Sequence, residues 1–283
     1  MSGLEILSKY TDDGTVELIS VIAVPRSIST ALGRALNETP GNSVFVNEPF
    51  NRNNRSIEVA SSKIVELIRR NPNTDTPLTV ITKNMATYLE QAEYEELEGV
   101  SKATIWSVRD PLVQIASLAT RMANDIAVEN GAAVISQAEL EPYIDQVTNT
   151  LIDSDISKDF SRTGWQSIGD HFKSRDTRLK FAVVDGGQLV SNPDEVLGSA
   201  CERIGLVYDS RMVSGWGSGY VNVNTGTSRY STEENAWTSQ AAKSDGIIHS
   251  SRSQIDPSIL PQAFYDHLFG VALPAYQDIV EYS

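Results

Sequence analysis

The sequence predicts an α/β protein built on a parallel sheet with helices on its faces. Three observations carry that expectation. Short apolar, β-branched runs alternate with amphipathic stretches, as in Leu18-Ile19-Ser20-Val21-Ile22-Ala23-Val24, Leu78-Thr79-Val80-Ile81-Thr82 and Ala103-Thr104-Ile105-Trp106-Ser107-Val108. The first of these runs is apolar at successive positions rather than at every second one, which is the mark of a strand buried on both faces. Two of the runs pass directly into turn chemistry and a helix start, at Pro25-Arg26-Ser27-Ile28-Ser29-Thr30 and at Arg109-Asp110-Pro111.

Taken in order, the first strand stops at Pro25. Ser27, Ser29 and Thr30 are candidate N-cap and first-turn residues of a helix over 29–37 that buries Ala31, Leu32, Ala35 and Leu36. Residues 43–46 read as a short strand and 55–70 as an amphipathic helix with Ile57, Ile64, Val65 and Ile68 on one face. The strand at 78–82 is followed by a charged helix over 88–97 and by the strand at 103–108. Pro111 then stands in the first turn of a helix, where its missing N–H costs nothing. Residues 137–151 and 160–172 read as helices, 179–184 as a strand, and Asn192-Pro193-Asp194-Glu195 opens a helix that ends near Gly205. The stretch 215–231 is rich in Gly, Asn, Ser and Thr and reads as a loop or lid. The expected organisation is one domain over 1–283, with a core over 18–206 and a lid or cofactor loop and C-terminal helix over 207–283.

Composition narrows the function. With 23 basic against 37 acidic residues the net charge is −14, a field that repels polyanions and argues against nucleic acid or a highly sulfated polysaccharide as partner. An anionic ligand would have to rely on local cations. The single cysteine, Cys201, cannot form an intramolecular disulfide, so a reducing, cytoplasmic compartment is expected. Residues 1–10 lack a basic n-region and an apolar h-region, and no run approaches 18 apolar residues, so no membrane association is expected. His171, His249 and His267 have no metal-ligand spacing, and no metal is expected. A homodimer is compatible with these features.

The loop after the first strand is built for an anion. The helix start behind it presents unpaired N–H groups and the positive end of a dipole, while Arg26 adds a planar guanidinium and Ser27, Ser29 and Thr30 add hydroxyls. The other reading is an ordinary strand-to-helix turn with a surface Arg. A Walker A loop is excluded, because G-x-x-x-x-G-K-[ST] is absent. In the second segment Arg109 precedes the helix and Ser117 lies eight residues on, roughly two turns and 10–12 Å along it. Alternatively, Arg109 and Asp110 pair locally and Ser117 is a small packing residue.

Together the two segments resemble the nucleotide-binding signatures of sulfotransferases that use 3'-phosphoadenosine 5'-phosphosulfate (PAPS), closest to the branch whose loop reads P-R-S-x-S-T. Ile28 stands where many members have Gly. The run Val183-Val184-Asp185-Gly186-Gly187-Gln188-Leu189-Val190-Ser191-Asn192-Pro193 and the helix after it are similar to the later half of that fold, so the resemblance spans about 18–206. It implies a P-loop-like sulfotransferase fold, PAPS as donor and adenosine 3',5'-bisphosphate as product. Arg109 and Ser117 would grip the 3'-phosphate. Arg26, with Ser27, Ile28, Ser29 and Thr30, would hold the leaving phosphate and the sulfuryl group. Lys243, Arg252 or both would give a third cationic contact to the 3'-phosphate, although the R-K-G signature of that late loop is missing. Animal members place a His two residues after a Lys, and here Thr82-Lys83-Asn84-Met85 has Met85 in that place. The P-R-S-x-S-T branch uses a Glu after the second strand, which Val46-Asn47-Glu48-Pro49-Phe50 matches. Glu48 is therefore the candidate base, and Lys83 either contacts the sulfuryl group or solvates a strand end.

The function expected from the resemblance is sulfuryl transfer to a hydroxyl or amine of a small molecule, as in secondary metabolism, with a cationic or zwitterionic acceptor suited to the acidic composition. The acceptor pocket would involve the Glu48 loop, the helices over 125–171 and the loop at 215–231. Two alternatives stand beside it. A nucleotide-dependent phosphotransferase would need Mg²⁺ and could use Asp185 as a Walker B carboxylate, and a non-catalytic nucleotide-binding module would not depend on Glu48.

Overall fold

A computed structural model describes residues 3–49, 57–70, 76–131, 141–147, 163–216, 244–247 and 256–283. Five strands, β1 (Val16–Ala23), β2 (Ser43–Asn47), β3 (Leu78–Met85), β4 (Ala103–Val108) and β5 (Lys180–Asp185), pair in the order β2-β3-β1-β4-β5. Every pairing is parallel. The register runs from Val16 opposite Leu78 to Ala23 opposite Met85, from Ile19 opposite Ala103 to Ala23 opposite Ser107, and from Ala103 opposite Lys180 to Val108 opposite Asp185. The continuous apolar runs form the centre of the sheet because both faces are covered.

The helices are α1 (Gly3–Asp12), α2 (Ser29–Leu36), α3 (Ile57–Arg70), α4 (Gln91–Val100), α5 (Pro111–Glu129), α6 (Trp165–Ser174), α7 (Gly186–Ser191), α8 (Pro193–Ile204), α9 (Gln262–His267) and α10 (Leu273–Val280), the last two joined by a π-helical stretch, Leu268–Ala272. On one face of the sheet, Ile19, Val21, Ile81, Ile105 and Val184 pack with Leu32 and Leu36 of α2 and with Leu197, Cys201 and Ile204 of α8. On the other, Leu18, Ile22, Val80 and Trp106 pack with Ile64 of α3, Leu97 of α4, Ile115 of α5, Trp165 of α6 and Ile279 of α10. The chain thus leaves β1 towards the first face and leaves its neighbour β4 towards the second. That divergence opens a crevice at the carboxyl ends of β1 and β4, the place where open α/β sheets bind ligands.

Several expected elements shift. The strand expected over 78–82 continues to Met85, so Lys83 lies inside β3 rather than at its end. The helix expected from 88 begins at Gln91, because Ala86–Tyr88 forms a 3₁₀ turn and Glu90 with Glu93 makes a capping box. Helix α1 was not anticipated; Leu7 is fully buried in the core, with Ile6 and Tyr10 packed partly buried against it. The short α7 also precedes the expected helix. Of the helix expected over 137–151 only 141–147 is described, opening in a 3₁₀ turn at Glu141–Tyr143, and residues 217–231 of the expected lid lie outside the described residues. Among the described residues no helix is long and apolar enough to cross a membrane.

Candidate active site

Three described residues other than glycine have left-handed backbone: Arg26 at φ 66°, Ile28 at φ 68° and Glu48 at φ 51°. All three sit just beyond the carboxyl ends of β1 and β2. Each such conformation costs roughly 1–3 kcal/mol and persists where surrounding structure enforces it, typically at functional sites. The N-cap of α2 is Ile28, with no side-chain cap; of the expected N-cap and first-turn residues, Ser29 and Thr30 stand in the first turn and none caps the helix. The first intrahelical bond runs from the N–H of Leu32 to the carbonyl of Ile28, 3.1 Å, so the N–H groups before Leu32 have no acceptor within the helix. The Ser27 hydroxyl is engaged elsewhere. It donates to the Val24 carbonyl at 2.9 Å and pairs with the Ser107 hydroxyl at 3.1 Å, fully buried beneath the loop. Ser29 is buried in the first turn and Thr30 half-buried beside it.

The two distant signatures meet here. Nε of Arg26 donates to Oγ of Ser117 at 3.2 Å, and Nη1 of Arg109 donates to the carbonyl of Arg26 at 3.4 Å. Ser117 is therefore more than a packing residue. Asp110 is the N-cap of α5, accepting the Val113 N–H at 3.0 Å, rather than a dedicated partner of Arg109. Burial pushes the Arg109 pKa down, and the carboxylates of Asp185 and Asp110 oppose that. Asp185, the possible Walker B carboxylate, caps α7 by accepting the N–H groups of Gly187 and Gln188 at 2.8 and 2.9 Å, and its other oxygen accepts the Tyr276 hydroxyl at 3.1 Å. Gly186 lies so close under the loop that a Cβ there would sit 2.6 Å from the Ser27 carbonyl.

On the other side of β1, Glu48 N–H donates to the Lys83 carbonyl at 2.7 Å, and Lys83 Nζ is ion-paired to Glu48 Oε1. The Lys83 side chain is 4% exposed and that of Glu48 21% exposed. Lys83 therefore does not solvate a strand end; it neutralises the carboxylate. Asn47 is paired with Lys83 across β2 and β3, is fully buried, and neither polar atom of its side chain has a partner among the described residues. The arrangement offers two guanidiniums, an ammonium–carboxylate pair and a helix start at adjoining strand ends.

The chain is similar in structure to sulfotransferase domains. One comes from the curacin biosynthetic pathway, with 14% identity and a TM-score of 0.45 over 90% of this chain and 97% of that one. Another belongs to the Synechococcus PCC 7002 olefin synthase, with 15% identity and a TM-score of 0.46 over 90% of this chain and 94% of that one. No family model and no curated protein matches the sequence.

Lys243, Arg252 and His249 lie outside the described residues. His171 and His267 are buried packing residues, His267 beside the Thr163 hydroxyl at 2.9 Å. Cys201 is buried against Met212, and burial pushes its thiol up to about 11. Among the described residues no cluster of His, Cys, Asp or Glu could hold a metal ion. Residues passed over in the sequence also contact the site, namely Gln114, Asn47 and Tyr276. Gln114 carried a usable signal: it stands three residues before Ser117, on the same face of α5. Tyr276 comes from the far end of the chain and had none.

Proposed function

We propose that the protein is a sulfotransferase that takes its sulfuryl group from PAPS and passes it to a hydroxyl or amine of a small acceptor. The observation that carries this reading is the hydrogen bond from Arg26 to Ser117, supported by that from Arg109 to the Arg26 carbonyl. Through them the P-R-S-x-S-T loop and the Arg–x7–Ser helix form a single anion-binding surface. Two guanidiniums, both half-buried, suit a ligand with two separate anionic groups better than one with a single phosphate chain.

The residues present fit the bisphosphorylated nucleotide. Arg109 and Ser117 would hold its 3'-phosphate, and Arg26 with the N–H groups opening α2 would face the 5'-phosphosulfate, whose bound form supplies an activated sulfuryl group. Glu48 accepts the proton of the acceptor hydroxyl or amine as that atom attacks, and Lys83 holds the carboxylate in place and offers its charge to the developing anionic centre. Helix dipole and cations together stabilise a transferred group that carries less charge than a phosphoryl group, so the reading needs no metal. The negative field of the whole chain favours a cationic or zwitterionic acceptor.

Calorimetric titration with adenosine 3',5'-bisphosphate, against ADP and against ATP with Mg²⁺, tests the reading. Tight metal-independent binding of the bisphosphate, weakened at least tenfold in Arg109→Ala, is the expected result. Preference for ATP with Mg²⁺ would overturn it in favour of a phosphotransferase.

A further inference from the structure

We propose that Gln114 is a positioning residue that holds the anion loop in its left-handed conformation from beneath. Its use in nucleotide binding rests on the reading above, whereas its action on the loop does not. Four successive carbonyls of the loop each accept one side-chain hydrogen bond. Val24 takes that of Ser27 at 2.9 Å, Pro25 that of Gln114 Nε2 at 2.7 Å, Arg26 that of Arg109 at 3.4 Å, and Ser27 that of Ser107 at 3.4 Å. The bond from Gln114 is the shortest of the four. The Pro25 carbonyl shares a rigid peptide plane with the Arg26 N–H, so fixing that carbonyl fixes the plane about which φ of Arg26 is set.

Gln114 is fully buried and its amide orientation is dictated by its neighbours. Nε2 faces two acceptors, the carbonyls of Pro25 at 2.7 Å and Thr163 at 3.4 Å, while Oε1 accepts the indole N–H of Trp165 at 3.1 Å. The reverse orientation would set an oxygen against two carbonyls and leave the indole without an acceptor. Trp165 is in turn fixed edge-on against Tyr276 of α10, 6.1 Å between ring centroids. Three residues further along α5, Ser117 accepts from the Arg26 side chain. One helix face therefore grips the backbone of the loop through Gln114 and its cation through Ser117. A side chain with one donor end and one acceptor end is required here, which Leu, Met or an ionised Glu cannot supply.

The test is a double-mutant cycle on the full chain with Gln114→Met, of matching length but without the amide, and Arg26→Gly, which tolerates positive φ without strain. Thermal unfolding is followed for all four proteins. Adenosine 3',5'-bisphosphate affinity is measured for wild type, Gln114→Met and Trp165→Phe. If Gln114 positions the loop, Gln114→Met lowers the melting temperature in the wild-type background and by less than half as much beside Arg26→Gly. It also weakens the bisphosphate about fivefold to tenfold, and Trp165→Phe, which keeps the ring packing, weakens it in the same direction. An equal loss of melting temperature in both backgrounds with unchanged bisphosphate affinity would overturn the proposal and leave Gln114 a core residue. Should wild type fail to bind the bisphosphate, the nucleotide reading falls, and the unfolding cycle alone decides whether Gln114 positions the loop. If Gln114→Met does not fold, Trp165→Phe in the two Arg26 backgrounds replaces it in the cycle.

Discussion

Glu48 and Lys83 show how far one residue's role depends on its neighbour. Their ion pair spans a steep gradient of exposure, with Lys83 at 4% and Glu48 at 21%. Removing one partner of a buried pair leaves the other charge uncompensated, and the penalty follows the burial of the charge that remains. Glu48→Gln strands the buried ammonium, whereas Lys83→Met leaves a carboxylate that water can reach. Thermal unfolding is therefore expected to show a larger loss for Glu48→Gln than for Lys83→Met; the opposite order would mean that the pair does not balance Lys83. In a sulfuryl-transfer assay, Glu48→Gln is expected to lose about a hundredfold or more in rate if the carboxylate takes the acceptor proton, with bisphosphate affinity retained. The Glu after the second strand was legible in the sequence. The ion pair was not, because 35 residues separate its members and only the parallel pairing of β2 with β3 brings them together.

Among the elements, α2 and α5 carry the site, and each is held by a different device. Helix α5 has Pro111 in its first turn and the Asp110 side chain on the Val113 N–H, both of which local sequence announces. Asp110→Ala is expected to cost about 1 kcal/mol in denaturant unfolding, the usual value of an N-cap. Helix α2 instead lacks a side-chain cap and is secured by packing. A Cβ at Gly33 would sit 2.2 Å from Cε2 of Phe45, so the helix presses directly on the aromatic ring of β2. Gly33→Ala, which in an exposed helix stabilises by about 1 kcal/mol, is expected here to destabilise by roughly 1–3 kcal/mol through overpacking. A stabilised Gly33→Ala protein would show that α2 can lift from β2. Helix propensity and capping rules could foresee the first device but not the second, since the identity of the residue opposite Gly33 is a tertiary fact.

At the scale of the molecule, the face of the sheet opposite α2 is tied together through His171. Its Nδ1 meets Gln91 Oε1 at 2.9 Å, its Nε2 meets the Leu89 carbonyl at 3.2 Å, and its ring stacks on Tyr94 at 4.7 Å, joining α6 to α4 and to the connection before it. Burial lowers its pKa below the ordinary 6.5, outweighing the Leu89 carbonyl, Asp170, the Ala86 carbonyl and Glu95, which act the other way. A histidine whose folded pKa is depressed contributes stability that is present above pH 6.5 and lost as pH falls through the folded value, because the unfolded chain binds the proton more readily. Wild type should therefore exceed His171→Gln in melting temperature by more at pH 8 than at pH 5.5, and a gap that widens on acidification would reverse the sign. The tie itself was invisible beforehand, since its partners lie 80 and 82 residues from His171. What the sequence by itself determined was the set of units, namely apolar runs that must be buried strands, a Pro signal that opens α5, and a Pro/Arg/Ser/Thr loop suited to an anion. These depend on neighbours within a few residues, so local chemistry specifies them. Tertiary structure alone decided that Arg26 reaches Ser117, that Lys83 neutralises Glu48, that Gln114 hydrogen-bonds the loop and that Asp185 accepts from Tyr276. Those are contacts across 35 to 91 residues, and they exist because the order β2-β3-β1-β4-β5 brings the ends of separate strands to one crevice.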